Sequence, residues 1–106
     1  MQYATVILES PYAGNIPANV AYAQEAMRRC LSWGWAPLSS HLLYTQCLDD
    51  LDPAERAAGI AAGFAWRPKA DFTVFFCRLG WSKGMILGRE DCRTRRLPFI
   101  TVDEVP

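Results

Sequence analysis

The chain lacks an excess of either charge. Eleven Lys and Arg stand against 11 Asp and Glu, for a formal net charge of zero. Proteins that work on phosphate backbones need surplus Lys and Arg, so nucleic acid is not the expected partner. A basic membrane-surface role is disfavoured on the same ground. Long apolar runs are also missing. The longest low-polarity stretch, residues 57–66, is too short to span a bilayer and contains Gly59 and Gly63. No targeting segment is visible: Met1-Gln2-Tyr3 has no basic region, and Glu9 interrupts the first apolar run. The expected location is therefore cytoplasmic. Cys30, Cys47, Cys77 and Cys92 form no C-x-x-C pair. An even count would allow two disulfides in a secreted protein, but without a signal peptide reduced thiols are the better reading. Four scattered cysteines and one histidine do not suggest a zinc site, and neither metal nor cofactor is expected. Cys30 and Cys77 read as small core hydrophobes.

What is present is a foldable chain. Its 106 residues are 51% hydrophobic, which excludes disorder and fits one domain over residues 1–106. Residues 3–9 form a near-continuous β-rich run, as a strand buried on both faces does. Pro11, Gly14, Asn15 and Pro17 mark a loop. A helix follows on Val20, Ala23, Met27, Cys30 and Leu31 and stops at Gly34. Residues 35–39 are a short second strand, which Pro37 moves toward a sheet edge. Residues 40–52 read as a loop. Asp52-Pro53-Ala54-Glu55 starts a second long helix, with an N-cap, Pro at the first position and capping-box spacing. Its expected buried stripe is Ala57, Ile60, Ala61, Phe64 and Ala65, and Pro68 ends it. Residues 71–77 are the clearest strand, 83–96 a third helix closing on Arg93, Arg95 and Arg96, and 97–102 the last strand.

This β-α-β-α-β-α-β order specifies an α/β fold of Rossmann or flavodoxin-like type. The expected form is a compact parallel sheet of four strands, order 2-1-3-4, with helices on both faces. Ligands of such sheets bind at the carboxyl ends of the strands, beside the point where strand order reverses. The loops after the first three strands should therefore carry function. Each mixes an aromatic ring with hydroxyls, amides or glycine, the mixture that a sugar or nucleotide pocket needs. The candidate ligand-binding residues of these loops are Ser10, Tyr12, His41, Tyr44, Gln46, Gly80, Trp81, Ser82, Gly84 and Met85. Gly80-x-Ser82-x-Gly84 opens a helix whose N–H groups can hold a phosphate, but it is neither a Walker loop nor a dinucleotide fingerprint. His41 is the only histidine. Glu9 is the candidate catalytic residue, because a carboxylate ending a central apolar strand is costly unless it is solvated, paired or used. The bland alternative is a salt bridge to Arg56 or Arg78. Asp49, Asp50 and Asp52 read as a solvated capping cluster.

These residues resemble the nucleoside 2-deoxyribosyltransferase-like superfamily, which includes the 2′-deoxynucleoside 5′-monophosphate N-glycosidases. Within it they are most similar to a small, phage-associated branch. The matching segments are Glu9-Ser-Pro-Tyr-Ala-Gly14, Asn19-Val20, Ser40-His-Leu-Leu-Tyr-Thr-Gln46, Leu48-Asp-Asp50, Glu55-Arg56, Gly59-Ile60, Ala62-Gly63, Leu79-Gly80, Ser82, Gly84-Met85 and Gly88, in order over nearly the whole chain. The resemblance implies a compact, commonly dimeric domain binding a nucleoside or nucleotide. It also implies a glutamate on the helix after the third strand that attacks C1′, as in retaining glycosidases. Ser82 matches the serine that helps hold the 5′-phosphate, and on this resemblance Asn19 and Arg56 join the candidate ligand-binding residues. The position of the nucleophile is Gly88 here, and glycine has none. Glu90 lies about 200° further around the helix and does not replace it.

The expectation that follows is a protein that binds a nucleotide- or nucleoside-derived small molecule without cleaving it. Such a protein fits a phage that sequesters a host nucleotide immune signal. One alternative is an N-glycoside hydrolase or deoxyribosyltransferase with Glu9 in its active site. Another is a protein-interaction module that reused the fold. A homodimer or higher homo-oligomer is expected, since the elements use almost all of the chain and leave a second copy to complete the pocket.

Overall fold

Val6 and Leu8 point to one side of the first strand while Thr5, Ile7 and Glu9 point to the other, and this alternation organises the molecule. The computed structural model describes residues 2–103. The expected domain ends, residue 1 and residues 104–106, lie outside that range. The element order is β1 (Ala4–Glu9), α1 (Ile16–Ser32), β2 (Trp35–Leu38), α2 (Ser40–Leu43), α3 (Pro53–Trp66), β3 (Phe72–Phe76), α4 (Lys83–Arg95) and β4 (Phe99–Val102). The four strands form one parallel sheet in the order β2-β1-β3-β4. Its register sets Val6 beside Pro37 and Phe72, and Glu9 beside Phe75. The α/β class, the all-parallel sheet and the strand order are those expected. Pro37 sits on the edge strand β2, where its missing N–H costs no ladder bond.

Val6 and Leu8 pack with Val74, Phe76 and the α1 residues Tyr22, Ala26 and Cys30. On the opposite face Phe75 packs with Met85 and Cys92 of α4. Each fully buried side chain of this size contributes about 1.5–3 kcal/mol, and consecutive Phe75 and Phe76 supply one to each core. The radius of gyration is 12.9 Å, close to the ~13 Å of a single compact domain of this length.

Caps fix the helix starts. Asn15 Oδ1 accepts from Ala18 N (3.3 Å), Asp52 Oδ1 from Ala54 N (2.9 Å) and Ser82 Oγ from Met85 N (3.2 Å). Gly34, at φ +81°, makes the left-handed turn that takes the chain from α1 into β2.

Three local expectations are corrected. Residues 40–52 are not a simple loop: α2 and a 3-10 turn at Tyr44–Gln46 occupy their first half. Thr45 Oγ1 donates to His41 O (2.6 Å) and Gln46 Nε2 to Leu42 O (2.8 Å), which closes these turns. Seven residues are too few for a helical period to show in a sequence. In α3, Ala57, Ala61 and Ala65 are exposed, whereas Ile60 and Phe64 are half-buried and Gly63 is buried. A Cβ at Gly63 would stand 3.2 Å from Ser40 Cβ, and one at Gly59 3.3 Å from Leu48 Cδ1. The glycines therefore mark the packed face. After Trp66 the chain makes a 3-10 turn, Arg67–Lys69, that carries Arg67 inward. Cys77 is half-buried, while Cys92 joins Cys30 as a fully buried thiol.

Candidate functional site

Glu9 ends β1 on the face covered by α3 and α4. Its side chain is 9% exposed and that of Arg67 1%. Arg67 Nη2 donates to Glu9 Oε2 at 3.0 Å. The partner of this carboxylate is thus Arg67, not Arg56 or Arg78. The guanidinium makes further bonds to Asp91 Oδ2 through Nε (3.0 Å) and to Thr73 Oγ1 through Nη1 (3.2 Å), and lies 4.8 Å over the Phe64 ring. Asp91 also accepts from Arg95, which donates to Phe64 O at 2.8 Å. Buried charges persist only when paired and hydrogen-bonded in this way. Burial pushes the Glu9 carboxyl above its ordinary value, with Arg67 pulling it back and Asp91 adding to the rise.

Gly88 faces this ion pair. A Cβ there would collide with Glu9 Oε2 and stand 3.2 Å from Arg67 Nη2. The strand carboxylate therefore fills the space that a side chain at position 88 would need. Glu90 is exposed and pairs with Arg93 at 3.1 Å, on the solvent side of α4.

Above Glu9, the loop after β1, the start of α2, α3 and the start of α4 enclose a cleft of about 160 Å³. Tyr12 and His41 stack at one wall, with ring centroids 5.1 Å apart and planes 17° from parallel. Arg56 and Asp50 form another wall, and Ser82, Lys83 and Gly84 a third. Asn19 Nδ2 holds the Tyr12 loop by donating to Tyr12 O (2.9 Å) and Ala13 O (3.0 Å). Burial lowers the His41 pKa, Asp50 opposes this and Arg56 adds to it, which favours the neutral ring. Ser82 Oγ satisfies Met85 N. The Lys83 and Gly84 N–H groups belong to the orphan donors of the first turn of α4. Two smaller spaces adjoin the cleft. One of about 40 Å³ is lined by Tyr44, Ser40, His41 and Arg56. The other, of about 30 Å³, reaches Glu9 and Arg67 past His41 and Gly84.

The structure thus brings together Glu9, Tyr12, His41, Tyr44, Arg56, Ser82 and Gly84. Other candidates lie elsewhere. Ser10 is fully buried, with no hydrogen-bond partner for its Oγ among the described residues. Asn19 supports the loop rather than lining the cleft. Gln46 is exposed and spends its amide on Leu42 O. Gly80 makes a turn at φ +101°. Trp81 packs on Phe75 at 5.2 Å and carries Arg89 at 4.4 Å. Met85 is a core residue, 1% exposed. Arg67 was missed by sequence reasoning. Arg beside a helix end normally reads as a solvated dipole partner, and its acid lies 58 residues away. Lys83, also missed, stands inside the Ser82–Gly84 motif.

Among the described residues, no group of three or more His, Cys, Asp or Glu could hold a metal ion. Among the same residues, no helix is long and apolar enough to cross a membrane. The fold and site together define a parallel α/β domain with a polar cleft at the carboxyl ends of its strands. The chain belongs to the family described as "Domain of unknown function (DUF7768)", whose model matches residues 4–102. No curated protein and no solved structure matches it.

Proposed function

We propose that the cleft binds the sugar-phosphate part of a nucleotide-derived small molecule and does not cleave it. The observation behind this reading is the convergence of the Tyr12–His41 ring pair, Arg56, Lys83 and the first turn of α4 on one cleft of about 160 Å³. Cations and helix N–H groups suit a phosphate, and rings suit a sugar face or base. Asp50 offsets one of the two cations lining the cleft, and the single surplus cation suits one phosphate better than a polyanion. Pockets that engulf a drug-sized ligand run to about 300–1,000 Å³. This cleft matches a phosphorylated sugar, and a second copy of the chain would cover the rest of the ligand. The resemblance to the deoxyribosyltransferase-like superfamily supports the ligand class. It also supplies the setting of a phage protein that withholds a host signal in the cytoplasm. Titration calorimetry with ribose 5-phosphate and nucleoside 5′-monophosphates tests the reading. Binding that Arg56→Ala weakens at least tenfold, with ligand recovered unchanged, supports it; absence of binding to all of them defeats it.

A second reading is an N-glycoside hydrolase that uses Glu9. The observation favouring it is that the Glu9 carboxylate lies against Gly88, the position that the resemblance gives to a nucleophile. It requires free base released from a deoxynucleotide, and activity lost in Glu9→Gln.

A further inference from the structure

Glu9 is more than a buried ion-pair partner. Arg67 engages its Oε2, yet the same carboxylate lines the inner cavity of about 30 Å³, which is not sealed. That volume holds one water or one hydroxyl group. Its other walls are largely apolar, with Ile7, Leu38, Ile60 and Phe64 around Glu9, and it shares His41, Ile60 and Gly84 with the outer cleft. A small donor group entering between His41 and Gly84 meets an acceptor already fixed in place. Arg67 holds the carboxylate and is itself fixed by Thr73 and Asp91, while Gly88 leaves it room. A charged acceptor in apolar surroundings discriminates strongly, because a ligand that lacks the donor leaves the carboxylate unmatched.

We propose that Glu9 is a specificity-determining residue of the cleft, whose carboxylate accepts a hydrogen bond from a sugar hydroxyl through the inner cavity, so that the site selects a hydroxylated sugar phosphate over its deoxy counterpart. This rests on the sugar-phosphate reading above.

The test is an NMR titration of the full chain with ribose 5-phosphate and with its 2-deoxy and 3-deoxy forms, for the wild type and Glu9→Gln. In the wild type, one deoxy form binds about tenfold more weakly than ribose 5-phosphate. In Glu9→Gln that gap shrinks to threefold or less. Because Glu9→Gln perturbs a buried ion pair, a second measurement uses the native protein alone. With 13C-labelled glutamate, the Glu9 carboxyl resonance moves on adding ribose 5-phosphate and stays put with the discriminated deoxy form. Equal wild-type affinities for all three sugars, or an unmoved Glu9 resonance, overturn the inference and leave the binding reading standing. Absence of binding by any of the three overturns both.

Discussion

The side chain that Gly88 lacks would occupy the space taken by Glu9 Oε2. A glycine inside an α-helix is normally a weakness of about 1 kcal/mol relative to alanine. Here it is a steric requirement of the ion pair between β1 and the turn after α3. Strand, turn and α4 meet at this point, so the site and the fold depend on the same contact.

Gly88→Ala should therefore lower stability, although helix propensity alone predicts a gain. The collision involves a buried carboxylate held by Arg67, not the free end of a flexible chain. Overpacking of this kind costs about 1–3 kcal/mol. Urea unfolding of the variant beside Gly84→Ala is the check. A Cβ at Gly84 meets only Ser82 Oγ at 3.9 Å, so that control should be neutral or stabilising. Equal effects of the two changes would sink the argument.

Arg67→Met should destabilise by about 3–5 kcal/mol, because it leaves the Glu9 carboxylate buried without its cation. Adding Glu9→Gln should recover part of that loss by removing the orphaned charge. A double-mutant cycle from denaturant unfolding measures this coupling. Additive effects would mean that the two groups do not interact.

Much of the molecule was legible in its residues. The β-rich runs 3–9 and 71–77 gave the central strands, and Asp52-Pro53 marked the start of α3. The alternation of elements gave the 2-1-3-4 order through the right-handed crossover rule. That order in turn located the cleft, so Tyr12, His41, Arg56, Ser82 and Gly84 were within reach of the sequence. Arg67 was not, because nothing local distinguishes an arginine turned into the core from one turned to water. The inward face of α3 was misread for a related reason. In a helix rich in alanine the apolar pattern is degenerate, and close packing is marked instead by Gly59 and Gly63, which have no side chain to score. Asn19, Trp81 and Met85 were placed in the right region but serve its support.

The pH dependence of stability should carry two opposite signatures. Burial raises the Glu9 pKa above 4.5, so the folded state holds this proton more tightly than the unfolded state does. Its contribution is present below 4.5 and is lost as the pH rises through the folded value. His41 is lowered from 6.5, so its contribution is present above 6.5 and is lost as the pH falls through the folded value. Urea unfolding between about pH 4 and pH 8, with Glu9→Gln and His41→Asn as references, separates them. The wild-type advantage over Glu9→Gln should shrink with rising pH, and that over His41→Asn should grow. A Glu9 difference that grows with pH would show Arg67 outweighing burial.

Asn19 should prove a supporting residue whose donors, not its shape, matter. Its amide donates to two successive carbonyls, Tyr12 O and Ala13 O, from a side chain buried under the loop. Asn19→Ala removes both bonds but leaves the carbonyls free to find water, at a cost of about 1–2 kcal/mol. Asn19→Asp keeps the size and removes the donors, so a carboxylate faces two carbonyl oxygens. The aspartate variant should therefore be the less stable of the two near neutral pH. Both should speed amide hydrogen exchange in residues 10–15 and weaken ribose 5-phosphate binding several-fold, because the Tyr12 ring loses its fixed place against His41. Faster exchange without weaker binding would remove Tyr12 from the site.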